Sequence, residues 1–227
     1  MVYLDDSGEA VACGSLHGTV IKQIAVAPDR ARKLQSAVLE AEKRMFAATG
    51  GVNTHKGAVY SMGLLCAGSA MLLSGEESSP CEAAAKLASQ LPARADQTHG
   101  AAVREKFSSG GAREEAFEGF PHAASAAAML DAGAPATEVL LRLMSEVEDS
   151  NLLWRGGREG LDYVRNTAAE LLALPARDRE AQLRGFDAAC IDRGLSPGGS
   201  ADLLAAALFL HSLSPTDEIG TENAKRE

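Results

Sequence analysis

Residues 50 to 58 read Gly-Gly-Val-Asn-Thr-His-Lys-Gly-Ala, and a charge-free run from Ala58 to Leu73 follows directly. Gly50 and Gly51 let the backbone turn tightly, and Asn53 or Thr54 can then cap a helix whose first turn carries His55 and Lys56. The helix behind them is apolar on nearly every face, which predicts burial. An imidazole, an ammonium and several N–H groups would then stand at the mouth of a dry core, a setting suited to phosphate.

The device recurs. Gly-Gly pairs also stand at Gly110-Gly111, Gly156-Gly157 and Gly198-Gly199, each followed by ionisable residues and a helix-like stretch. If these turns converge, they form one polar site. Lys56, Arg113 and Arg155 are its candidate cations, since Arg grips phosphate bidentately and Lys acts as a point charge. The acids at the same junctions are Glu115, Asp149 and Asp202. A helix cap suits Asp202 well, while Asp149 and Glu115, in loops beside an Arg, can pair with it or hold Mg²⁺ beside a polyphosphate, and spacing does not separate these options. His55 and His99 sit in polar turns, where an imidazole can serve as acid or base. His17, His122 and His211 have weaker settings.

The elements that must position these groups are helices. Leu34, Val38, Ala41 and Met45 repeat at helical spacing up to Gly50. Further stripes are Ala84, Leu87 and Leu91; Leu140, Leu143, Met144 and Val147; Leu161, Val164, Ala168 and Leu171; and Leu183, Phe186 and Cys190. Leu203 to Leu213 is a second charge-poor helix. Residues 93 to 121 read as a long polar loop, and Asp149 to Gly157 as a polar junction. Hydrophobic residues reach 46% with aromatics at only 4%, so the core must be built from Ala and Leu, which favours close-packed helices. The fold class is all-α: one compact domain over 28–213 around the two apolar helices, with an ill-defined segment 1–27 and a flexible tail 214–227.

A net charge of −9 without a basic run excludes nucleic acid as the main partner. Cys13, Cys66, Cys81 and Cys190 are widely spaced and read as reduced thiols, not as a disulfide set or zinc site. The longest apolar run falls short of the roughly 20 residues that cross a bilayer. The expected setting is cytoplasmic, with no membrane partner.

Several ordered segments resemble the triphosphoribosyl-dephospho-CoA synthase family. They are Glu40 to Ala58, Thr98-His99-Gly100, Gly111 to Ala116 with Gly119 to Pro121, Val147 to Asn151, Arg155 to Gly157, and Ser196 to Leu204. The resemblance spans roughly residues 36 to 213. It implies an all-helical transferase using ATP and 3′-dephospho-CoA to make 2′-(5″-triphosphoribosyl)-3′-dephospho-CoA and adenine. The product would go on to modify the acyl carrier protein of citrate lyase or malonate decarboxylase.

On that reading Gly50, Gly51, Asn53, Thr54, Lys56, Arg113, Arg155, Ser196, Gly198 and Gly199 bind the nucleotides. Mg²⁺ accompanies ATP on Asp149, Glu115 or Asp202, and His55 or Glu115 is the base. An oligomer is allowed. Residues 1 to 35 lack the Thr-Pro-Lys-Pro-Gly-Leu-Val-Asp and Gly-x-His-x-Asp-Met stretches that family members carry, and Glu114 stands where they have Gly. The alternative is therefore a helical paralogue that binds nucleotide or CoA without catalysis.

Overall fold

The computed structural model describes residues 2–4, 10–12, 29–73, 75–91, 103, 106–107 and 110–213. The expected tail 214–227, His99, His17 and Cys13 lie outside them. A short antiparallel pair, β1 (Val2–Leu4) and β2 (Ala10–Ala12), sets Val2 opposite Ala12. The other described elements are nine helices, as the Ala- and Leu-rich composition implies.

Helix α1 (Arg30–Ala48) buries Leu34, Val38, Ala41 and also Glu42. It ends where Gly50 and Gly51 take φ of 63° and 87°, with the Gly51 N–H on the Phe46 carbonyl at 2.8 Å, a left-handed stop that suits glycine. Helix α2 (Lys56–Leu73) starts on an Asn53 side-chain cap, whose Oδ1 accepts the Lys56 N–H at 3.1 Å. By length and composition α2 could cross a membrane, yet it lies among α1, α3 (Pro80–Gln90) and α9 (Gly198–Leu213) as a core helix. Gly68 makes this closeness possible, because a Cβ there would collide with the Pro80 carbonyl of α3.

Helix α4 (Gly111–Phe117) replaces part of the expected 93–121 loop, and α5 (Pro121–Asp131) begins where that loop was expected to end. Helix α6 (Ala136–Glu146) leads to α7 (Ser150–Ala173), so the presumed junction at 149–157 is a helix start capped by Asp149. Helix α8 (Ala176–Asp192) then leads to α9.

Two apolar clusters result. One joins α1, α2, α3, α5 and α9 through Leu34, Leu64, Ala84, Ala123 and Ala206. The other joins α6, α7 and α8 through Leu141, Leu152, Leu161, Val164 and Phe186. Of the two charge-poor helices α2 is the more enclosed; α9 leaves Leu208 and Leu213 exposed. Cys66, Cys81 and Cys190 are free thiols, and burial pushes Cys66 up to about 11.

Candidate functional site

A cavity of about 670 Å³ lies where the N-termini of α2, α7 and α9 meet, with α1 and α4 completing its wall. That volume suits a small-molecule ligand. Asp149 organises this end of the molecule. Its Oδ1 accepts the N–H groups of Asn151 (2.9 Å) and Leu152 (3.3 Å) at the start of α7. Its Oδ2 accepts the N–H (2.9 Å) and Oγ–H (3.1 Å) of Ser200 in the first turn of α9. One carboxylate therefore staples two helix starts, with only 1% of its surface exposed. Burial pushes its pKa up, and the N–H donors pull the other way.

Asp202, one turn along α9, extends the staple to α2 by accepting the Ala58 N–H. Burial first, then the charge of Asp149, raises it to about 7. The three helices approach this closely because glycines line the contacts. A Cβ on Gly57 would strike the Asp202 carboxylate, and one on Gly199 would sit 2.9 Å from Asp149 Oδ1.

Glu115 plays a similar part on α4. Its Oε1 accepts the N–H groups of His122 (2.9 Å) and Ala123 (3.2 Å), capping α5, and its Oε2 meets His122 Nδ1 at 2.7 Å. Glu42, 5% exposed on α1, faces Lys56, whose Nζ stands 3.7 Å from Glu42 Oε2. Among the described lining residues, seven carboxylates face two permanent cations, Lys56 and Arg113.

That balance corrects one expectation. The helix N-termini do not form a bare anion cradle, because Asn53, Asp149 and Asp202 already occupy the N–H groups named above. A polyphosphate entering here meets excess negative charge, and cations must offset it. No group of three metal-ligating side chains exists among the described residues. Asp149, with four donors on its two oxygens, is filled, and Glu115 is committed to His122 and the start of α5. Asp202 accepts one N–H and keeps an oxygen for a cation.

The structure brings together Gly51, Asn53, Thr54, Lys56, Arg113, Glu115, Asp149, Gly198, Gly199 and Asp202 on this cavity. Gly50 and Ser196 do not line it, though each lies within two residues of one that does, and Ser196 gives its carbonyl to Asn151 Nδ2 at 3.2 Å. Two expected residues fall elsewhere. Arg155 is exposed and off the cavity wall, because one step past Trp154 turns it about 100° around α7. The Gly156-Gly157 pair is not a helix start: it lies within α7, Gly157 bending it at φ 62° and Gly156 packing on Leu195. His55 is also absent from the wall; its Nδ1 contacts Thr54 Oγ1 at 2.8 Å and its N–H points to Met45 Sδ.

Sequence reasoning assigned no role to Glu42, Asn151 or Trp154 and ranked His122 low. Glu42 carried a signal, an acid eight residues past Leu34 on the apolar stripe of α1. His122 carried none, since its link to Glu115 spans a turn without periodicity.

Residues 11–220 match the family model described as ATP:dephospho-CoA triphosphoribosyl transferase. A candidate 2-(5''-triphosphoribosyl)-3'-dephosphocoenzyme-A synthase of Albidiferax ferrireducens is 40% identical over 208 residues, covering 82% of this chain and 68% of that one. The 2-(5''-triphosphoribosyl)-3'-dephosphocoenzyme-A synthase of Haemophilus ducreyi is 35% identical, covering 80% and 67%. The chain thus spans about two thirds of the length of these relatives. A crystal structure from Archaeoglobus fulgidus, of a candidate triphosphoribosyl-dephospho-CoA synthase, superposes with a TM-score of 0.58 at 18% identity, over 86% of this chain and 94% of that one. That likeness speaks to the fold.

Proposed function

The chain belongs to the ATP:dephospho-CoA triphosphoribosyl transferase family, a family of transferases, and from that premise we propose that its central cavity carries the transfer. The reaction moves the triphosphoribosyl group of ATP to the 2′-hydroxyl of 3′-dephospho-CoA and releases adenine. One observation carries this reading. The segments 53–57, 110–115, 148–151 and 198–202 are far apart in sequence, yet each contributes residues to the wall of one cavity.

The chemistry breaks the bond between ribose C1′ and the adenine nitrogen, and forms one between C1′ and the attacking 2′-oxygen. Glycosyl transfer of this kind passes through an oxocarbenium-like state. The hydroxyl proton needs an acceptor and the departing adenine a donor, while the triphosphate stays on the ribose. Lys56 and Arg113 hold the triphosphate. Glu115 orients His122 through Nδ1, which leaves the other ring nitrogen to handle the proton. Glu115 thus acts through His122, which takes the role first given to Glu115 or His55.

Mg²⁺ accompanying ATP would be held by Asp202, where it would offset the charge of the triphosphate. The excess of carboxylates in the wall supports this part. The product would serve as the prosthetic-group precursor for the acyl carrier protein of citrate lyase or malonate decarboxylase, in the cytoplasm.

The test uses ATP labelled in its γ-phosphate. Label incorporated covalently into dephospho-CoA is expected, with no incorporation when EDTA is present from the start. Label released as free phosphate or pyrophosphate would contradict the reading.

A further inference from the structure

Trp154 is the only tryptophan in the chain and stands half-exposed, at 48%, on the cavity wall. Its backbone is held firmly on the N-terminal side. Leu152 and Leu153, just before it, are 0% and 1% exposed in the second apolar cluster, and Asn151 is tied to the Ser196 carbonyl. The start of α7 is fixed further by the Asp149 cap. A large flat ring on a rigid turn therefore faces a ligand cavity while its neighbours are consumed by the core.

The other groups assigned above recognise charge: Lys56 and Arg113 for phosphate, Asp202 for the cation. None of them grips an uncharged heterocycle. An indole plane does, because stacking on a purine removes apolar area from water and matches two polarisable faces.

We propose that Trp154 is the stacking platform for an adenine ring bound in this cavity. This rests on the reading that the cavity holds adenine nucleotides. Both substrates, ATP and dephospho-CoA, carry adenine, and Lys56 lines the same cavity as the indole. Trp154 positions the base and takes no part in proton transfer.

Tryptophan fluorescence, excited beyond the tyrosine absorption band, reports on this residue alone. The full chain is titrated separately with ATP, with dephospho-CoA, and with inorganic triphosphate, which has no base. Saturable quenching by one nucleotide, far larger than with triphosphate, is expected and identifies which adenine stacks. Trp154→Leu should raise the KM for that nucleotide by roughly 5–150-fold with kcat little changed, and Trp154→Phe should recover most of the loss. An active chain whose fluorescence ignores both nucleotides, and whose Trp154→Leu variant keeps its KM, overturns the stacking assignment and leaves the transfer reading standing. Quenching by a nucleotide in a chain that releases no adenine supports stacking and overturns the transfer reading. Neither quenching nor adenine release overturns both.

Discussion

The Gly198-Gly199 and Gly156-Gly157 pairs look alike in sequence and do opposite work. At Gly199 a side chain would press on the Asp149 carboxylate, and at Gly198 it would sit 2.5 Å from Asn151 Nδ2. Those glycines let the start of α9 approach a buried acid. At Gly156 a side chain would meet the Leu195 methyl groups, and Gly157 bends α7 around them. Here glycine serves apolar packing. A glycine pair marks a close approach, and what approaches, a carboxylate or a leucine, decides whether the place belongs to the site or to the core.

This contrast can be broken first at Asp149. Asp149→Ala strands buried N–H groups at two helix starts, which should cost about 3 kcal/mol of stability and abolish transfer. Urea unfolding and adenine release measure both, and a variant with native stability would refute the staple. Gly199→Ala should reproduce the loss of transfer by displacing the same carboxylate.

Lys56→Ala comes next. Losing a charge-assisted phosphate contact should raise the KM for ATP by about 10–150-fold and leave the fold intact. An unchanged KM would remove Lys56 from the phosphate site.

Gly156→Ala should destabilise by about 1–3 kcal/mol through overpacking against Leu195, with kcat/KM within threefold of the parent. If it impairs transfer as strongly as Gly199→Ala, the two pairs are not distinct. The smallest effect belongs to Arg155→Ala, whose exposed side chain should be worth within about 0.5 kcal/mol and leave KM for ATP unmoved.

The helices were legible because their stripes are long and their punctuation is chemical: Pro80 at the start of α3, Gly50 at the end of α1, Asn53 before α2. The site was legible in outline, since most of its residues stand at glycine turns beside helix starts. Three features were not. Local pattern does not reveal that Asp149 caps α9 as well as α7, because 51 residues separate Asp149 from Ser200. The pairing of Glu115 with His122 crosses a turn, where no period operates. The rotation that sends Trp154 inward and Arg155 outward depends on where α7 begins, and the sequence suggested a junction there. The same long-range acids turned an expected anion cradle into a wall with more carboxylates than cations.

The measurement that bears most directly on the central claim is dephospho-CoA-dependent release of adenine from ATP, followed by chromatography with and without Mg²⁺. One adenine should form for each triphosphoribosyl group gained by dephospho-CoA, only with Mg²⁺ present, and the KM for ATP should rise in Lys56→Ala. A purified, folded chain that binds ATP but releases no adenine, or that releases it equally without dephospho-CoA, would contradict the account.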